Sequence, residues 1–596
     1  MATTADVRAD EARGLKPPPE VDLRAAVRHG LISGAAALFV AAAGMVENFE
    51  ARVVVRPGIT LGYIMLLAIP AIFGYVAASP PPEVEGTEAQ RPGRRNVLAG
   101  TAAGALTAGL LLVFVAFTDA VDVRSIFLNN TPFLREEMLL FGLGFGAGSL
   151  LLLVACMALG AAAASFHLLP ERARRAALLA VLIVLVFGTL QPLAEQLFRG
   201  ARLPGGVQRF LYGRGGGLGI PGALVLAALG FGSRYFAREK GTVRRRIQEL
   251  PQEQRLRWSI VGAVLVLVLL AVLPQVLGQF MSEVFDIAGI FLLMALGLNI
   301  VVGYAGLLDL GYVAFFAVGA YTTAVLTSPL SPRFSPEMAF WAALPFVVAA
   351  AAVAGIMVGT PVLRMRGDYL AIVTLGFGEI ARIVLLSNWQ TPNLGGAQGI
   401  LQIPCIPLGV ACVRQPQPFL YLIYGFILVA IWISWSLQES RVGRAWMAMR
   451  EDEPVAEAMG VDIVRAKLSA FIVGAILASF GGALFAHKIG SVFPHSFDIV
   501  VSITVLVVVI VGGMASIPGV FLGAFVIVGL PELLREFQEF KFLFYGALLI
   551  FMMLKRPEGF IPSKRRAQEL HQEEVEQDAW LGGSIDQAER GPAATS

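Results

Sequence analysis

Asn299-Ile-Val-Val-Gly-Tyr-Ala-Gly-Leu-Leu-Asp-Leu-Gly-Tyr-Val-Ala-Phe-Phe-Ala-Val-Gly-Ala-Tyr321 is apolar enough to lie in a bilayer, yet Gly303, Gly306, Gly311 and Gly319 recur through it. Glycine lets backbones approach closely and lets a helix break. A broken helix survives at membrane depth only where protein or a water-filled path satisfies the freed backbone groups. Asp309 lies inside the same stretch, where an exposed carboxylate would cost about 3 kcal/mol. The stretch therefore predicts a break between two apolar segments, 284–303 and 309–327, held inside a larger bundle.

A weaker echo occurs at Gly512-Gly-Met-Ala-Ser-Ile-Pro-Gly519, followed by Gly523-Ala-Phe525 and preceded by the apolar run Ile499–Val511. Two glycine-broken segments in corresponding places point to a substrate path between them. Two glycine-rich packing seams would leave the same pattern. A third stretch, Arg364 to Arg382, places Glu379 and Arg382 three residues apart on one helix face near the middle of an expected span. An intramembrane pair of this kind marks either a functional site or a pin to a neighbouring helix. The candidate path residues are Asn299, Tyr304, Asp309, Thr374, Glu379, Arg382, Gly512 and Gly513.

Composition extends this reading to the whole chain. Of 596 residues, 56% are hydrophobic and only 15% charged, where soluble domains carry about a quarter charged residues. Apolar runs recur near 27–45, 58–78, 97–117, 138–165, 177–197 and 219–235, then 258–277, 284–303, 309–327, 340–360, 369–387, 419–437, 467–487, 499–512, 519–533 and 541–555. The expected fold is all-α, a polytopic transmembrane helical bundle of about sixteen spans, some broken. Arg91, Arg94 and Arg95, then Arg172, Arg174 and Arg175, the cluster Arg234 to Arg246, Arg364 and Arg366, and Arg441, Arg444 and Arg450 fall on one side of such a bundle. That side is expected to be cytoplasmic, with both termini on it. The polar, basic stretch Arg234–Arg257 divides an N-terminal membrane domain, 1–250, of about six spans and unassigned role, from a second membrane domain, 251–562. A solvated tail, 563–596, follows.

Several function classes drop out. The formal net charge of +3 reflects the loop bias and no nucleic-acid patch, so no nucleic-acid partner is expected. The first 28 residues mix Asp, Glu, Arg and proline, unlike a cleavable signal peptide. Gly215-Gly-Gly217 lacks the Lys-Ser/Thr of a phosphate-binding loop. The Gly142-x-Gly144-x-Gly146-x-Gly148 run is expected to be a close helix-packing seam. His487 and His495 have no carboxylate or thiol at ligand spacing, so no metal site is expected. Cys156 is expected to pack in an apolar segment, whereas Cys405 and Cys412 share the exterior loop 388–418. There, a disulfide and two free thiols are both open.

The stretch Ser440 to Gly460 is too charged to lie in lipid and falls on the cytoplasmic side. Asp452 is placed to cap a short helix that carries Glu453 and Pro454 in its first turn, Val455 and Met459 on one face, and Gly460 as its stop. It reads as a segment gripped by a soluble partner, or as an amphipathic helix lying on the bilayer. Its core Glu457-Ala-Met-Gly460 resembles the coupling loop of ABC importer permeases. With Gly303-Tyr-Ala-Gly306, Gly367-Asp-Tyr-Leu-Ala-Ile-Val-Thr-Leu375, Asn393-Leu-Gly-Gly396, Met449-Arg-Glu-Asp-Glu453 and Arg556-Pro-Glu-Gly-Phe560, residues 284–562 resemble the LivM-type permease subunit of branched-chain amino acid ABC transporters. The long N-terminal half departs from that pattern.

The resemblance implies a permease and not an enzyme, in the cell membrane, working with a second, LivH-type permease, two cytoplasmic ABC ATPase subunits and an extracytoplasmic substrate-binding protein. ATP and Mg would be bound by the ATPases and no cofactor by this chain. It also implies an ATPase-coupling set of Arg444, Arg450, Glu451, Glu453, Glu457, Ala458 and Gly460. A urea or short-chain amide permease and a stand-alone secondary transporter remain the alternatives.

Overall fold

The computed structural model describes residues 23–562 apart from 51, 57, 80–93, 122–130, 192–193, 196–197, 199–204, 213–215, 236–251, 363–364, 366–367, 409–410, 534–539 and 557. The expected tail 563–596, most of the basic linker, and Arg364 and Arg366 lie outside the described residues. The chain divides into two compact units, Met1–Val261 and Gly262–Ser596.

Among the described residues the apolar runs fall mainly on helices, with 138–165 broken between Met138 and Phe145, because an unpaired backbone in hydrocarbon leaves α-helix as the cheapest local solution. Seven helices among the described residues are long and apolar enough to cross a membrane: Asn96–Ala120, Phe145–Leu168, Gly278–Tyr304, Phe340–Pro361, Tyr369–Leu386, Pro416–Glu439 and Ile463–Ile489. Shorter apolar helices include Ala26–Ala42, Leu61–Ala77, Val313–Thr327, Ile499–Gly512, Ile517–Leu533 and Lys541–Leu554.

In the first unit, Leu23–Ala42, Leu61–Ala77, Arg94–Ala120 and Phe145–Ser165 pack as one group, and Glu171–Thr189 pairs with Ile220–Tyr235. The close approach comes at Gly100, Gly104 and Gly160. A Cβ on Gly100 would stand 2.6 Å from the Gly160 carbonyl, and one on Gly104 would meet the Cys156 carbonyl. Cys156 is free and buried in that seam. Of the expected seam at Gly142, Gly144, Gly146 and Gly148, Gly148 alone is closely packed, a Cβ on it standing 2.6 Å from the Leu139 carbonyl. Gly142 takes a φ of +62°, and a Cβ on Gly142, Gly144 or Gly146 would meet nothing within 4 Å. Gly142 and Gly144 lead into the Phe145–Ser165 helix, and at Gly142 the backbone geometry itself favours a missing side chain.

The second unit is built around Ile463–Ile489, whose small-residue stripe takes in Gly474, Ala478, Ser479 and Gly482. Val313–Thr327 lies against that stripe: the Ser479 hydroxyl donates to the Phe315 carbonyl at 2.8 Å, and Gly319 abuts the Ser479 backbone. Small residues let helices approach until dispersion and polar contacts hold them, since lipid removes any hydrophobic drive between them. The Gln252–Leu298 helix is interrupted at Gly278, whose φ of +75° is non-helical. The small strands Ile406–Leu408 and Ala411–Val413 form an antiparallel hairpin in the loop before Pro416–Glu439.

Candidate functional site

The first break begins with a π-helical turn, Asn299–Tyr304, at the end of a long α-helix. The wider turn is visible in its bonds: the Ala305 amide donates to the Ile300 carbonyl at 3.1 Å and the Leu307 amide to the Val301 carbonyl at 2.9 Å. π-turns inside membrane helices frequently mark functional positions. Beyond the break, side chains supply what the helix cannot. The Gly311 amide donates to Asp309 Oδ1 at 2.9 Å, the Leu310 amide to Thr374 Oγ1 at 3.0 Å and the Val313 amide to Ser502 Oγ at 2.8 Å. Asp309 thus holds the turn that leads into Val313–Thr327. It is 1% exposed, and its Oδ2 has no hydrogen-bond partner among the described residues. Gly311 is in direct backbone contact with Thr374, which leaves no room for a Cβ.

The second break lies directly against the first. Asn299 Oδ1 accepts from the Ala515 amide at 2.8 Å, and a Cβ on Gly303 would stand 2.7 Å from the same amide. Gly513 (φ +119°) and Ala515 (φ +60°) make the turn between Ile499–Gly512 and Ile517–Ala524. Gly512 packs on Gly519, and its carbonyl accepts from the Ile561 amide at 3.1 Å. A second π-turn, Phe525–Gly529, follows. Asn299 thus meets the second break, of which Gly512 and Gly513 are part, while Asp309, Gly311 and Thr374 form a separate buried set, tied to the Ile499–Gly512 helix through Ser502. Tyr304 is also buried, and its hydroxyl donates to Gln438 Oε1 at 3.2 Å. Glu379 and Arg382 differ. Their 2.6 Å ion pair is confined to one helix and lies half exposed on a face that also shows Ile380 and Ile383.

The charged stretch folds as two short helices, Arg441–Glu451 and Glu453–Ala458. Ser440 caps the first and Asp452 the second, accepting from Gly443 and Val455 at 3.2 and 3.0 Å. Gly460 stops the second with a φ of +87°. Arg444, Glu451, Glu457, Ala458 and Gly460 are exposed, as are Val455 at 57% and Met459 at 81%. The remaining two residues of the set turn inward. Glu453 pairs with the buried Lys467 at 2.7 Å, and Arg450 Nη1 donates to the Gly303 carbonyl at 2.6 Å.

Cys405 and Cys412 are joined by a disulfide across the hairpin, with their Cα atoms 5.6 Å apart. One polar cluster was not legible in the sequence. Lys488 Nζ lies 2.5 Å from Asp286 and 2.8 Å from Glu283, with the Phe419 ring 5.2 Å away. Asp286 inside an apolar run was the available signal, but its partner lies 202 positions away. His487 is buried and bonded to the Ala483 carbonyl, and no group of three metal-ligating side chains occurs among the described residues.

A family model for the permease component of the branched-chain amino acid transport system matches residues 280–553. The high-affinity branched-chain amino acid transport system permease protein LivM of Escherichia coli K12 is 40% identical over 325 residues, 51% of this chain and 75% of its own length. The chain belongs to the branched-chain amino acid transport permease family. Within that family, a probable LivM of Methanocaldococcus jannaschii is 22% identical over 46% of this chain and 91% of its own length, and the LivH permease of Escherichia coli K12 is 22% identical over 47% and 95%. No solved structure matches. The family match begins at 280 and so takes in both breaks and the charged double helix, while the first unit falls outside it.

Proposed function

We propose that this chain is the permease subunit of an ATP-driven importer of leucine, isoleucine and valine. The observation that carries the reading is the charged double helix at 441–458. It presents an apolar Val455–Met459 knob ringed by charge while its inner face is bonded to the first break. In this reading two ATPase subunits, which hold ATP and Mg, grip the knob, and closure of the ATPases rocks the broken segments between inward-open and outward-open states. A LivH-type permease completes the membrane part, and an extracytoplasmic binding protein delivers cargo. The names of the relatives support the branched-chain substrate over urea, and favour a subunit of an importer over a stand-alone secondary transporter.

The path would run along Asn299, Asp309, Thr374, Gly512 and Gly513. The exposed Glu379–Arg382 pair would line the path, or an interface that shields it from lipid. The apolar runs support about sixteen spans in the inner or plasma membrane, and the basic loops support both termini on the cytoplasmic side. Residues 1–250 would be an accessory membrane domain outside the path.

The test is uptake of labelled leucine by cells expressing the complete complex, with valine, isoleucine and urea as competitors. Valine and isoleucine are expected to inhibit. Inhibition by urea alone would overturn the substrate, and uptake that survives ATP depletion at a clamped membrane potential would overturn the ATP coupling.

A further inference from the structure

We infer that Arg450 is a positioning residue that joins the charged double helix to the first membrane break, and does not contact the ATPase. This rests on the importer reading above.

The Arg441–Glu451 helix ends beneath the π-turn. Arg450 Nη1 donates to the Gly303 carbonyl at 2.6 Å. That carbonyl belongs to a helix end whose next amides are used elsewhere: Ala305 donates to Ile300 and Leu307 to Val301. A guanidinium there meets both a free acceptor and the negative end of the helix dipole. The contact is also shaped for this side chain. Gly306 has a φ of +71°, and a Cβ on it would stand 2.7 Å from Arg450 Cγ. The stem of Arg450 therefore lies on a surface that only glycine provides.

A second grip holds the next residue. The Tyr304 hydroxyl donates to Gln438, which lies two positions before the Ser440 cap of the same charged segment. Adjacent residues of one π-turn, Gly303 and Tyr304, are thus bonded to both flanks of the Arg441–Glu451 helix. Gly303 in turn lies against the Asn299–Ala515 bond that joins the two breaks. Any displacement of the charged helix pulls first on the carbonyl at 303, and then on the contact between the broken segments. Coupling passes through bistable packed elements of this kind, and coupling free energies correspond to about 5- to 150-fold effects.

The test uses the complete complex in proteoliposomes, reading leucine transported per ATP hydrolysed. Arg450→Met keeps the stem and removes the donor; the ratio is expected to fall about 5-fold or more while the ATPases still co-purify. Arg450→Lys, which restores a cationic donor, is expected to recover part of it. An unchanged ratio in Arg450→Met overturns the inference. If that variant fails to assemble, Tyr304→Phe deletes a single hydroxyl of the second grip, and an unchanged ratio there overturns the inference equally. Met459→Asp separates the two proposals: loss of ATPase co-purification supports the knob as the docking surface, and full co-purification sinks that reading without touching the ratio measured for Arg450.

Discussion

Replacing Lys488 by Met should destabilise the second unit more than any surface change. The ammonium is 4% exposed and is the shared partner of Asp286, which is 0% exposed, and of Glu283, which is 34% exposed. Removing it leaves one fully buried carboxylate beside a second, with no cation between them. Loss of one partner from a buried pair costs about 3–5 kcal/mol, because the remaining charge is neither hydrated nor paired. The lost contact with the Phe419 ring adds about 1 kcal/mol. Met fills nearly the same volume, so cavity formation contributes little. The assay is thermal unfolding of the purified protein in detergent, followed by tryptophan fluorescence, with Lys488→Met compared with Lys488→Met/Asp286→Leu. The single variant should lose several degrees of midpoint, and the double variant should regain most of the loss, since it no longer buries a lone carboxylate. A single variant within about 1 kcal/mol of the parent, or a double variant less stable than the single, would refute the argument that charge isolation dominates.

Two further outcomes follow from other elements. Gly460→Val places a β-branched residue at φ +87° where a Cβ meets no atom within 4 Å, so the cost is backbone strain of about 1–3 kcal/mol; uptake should fall while membrane insertion, read by protease protection, stays normal, and full uptake would show that the helix stop does not matter. A chain beginning near Arg246, co-expressed with its partners, should retain transport if residues 1–250 are accessory, and normal assembly with no transport would place the first unit in the path.

The sequence by itself determined what is local. Runs of apolar residues specify helices in lipid because no other backbone arrangement pairs its own polar groups. The cap at Asp452 and the stop at Gly460 are equally legible, since each acts within about one turn of its own position. Sequence also located both breaks, through glycine and Asp309. It read the glycines at 142–148 as one packing seam where Gly148 alone is closely packed, because glycine at a loop and glycine at a close contact look alike until the neighbour is known. Only the tertiary structure decided which polar groups meet. Asn299 reaches Ala515 across 216 positions, Arg450 reaches Gly303 across 147, and Lys488 reaches Asp286 across 202. No periodicity encodes these pairings. They follow from which helix faces pack together, and in a bundle where hydrocarbon is indifferent to apolar side chains, that choice rests on small-residue seams and buried hydrogen bonds summed over the whole unit.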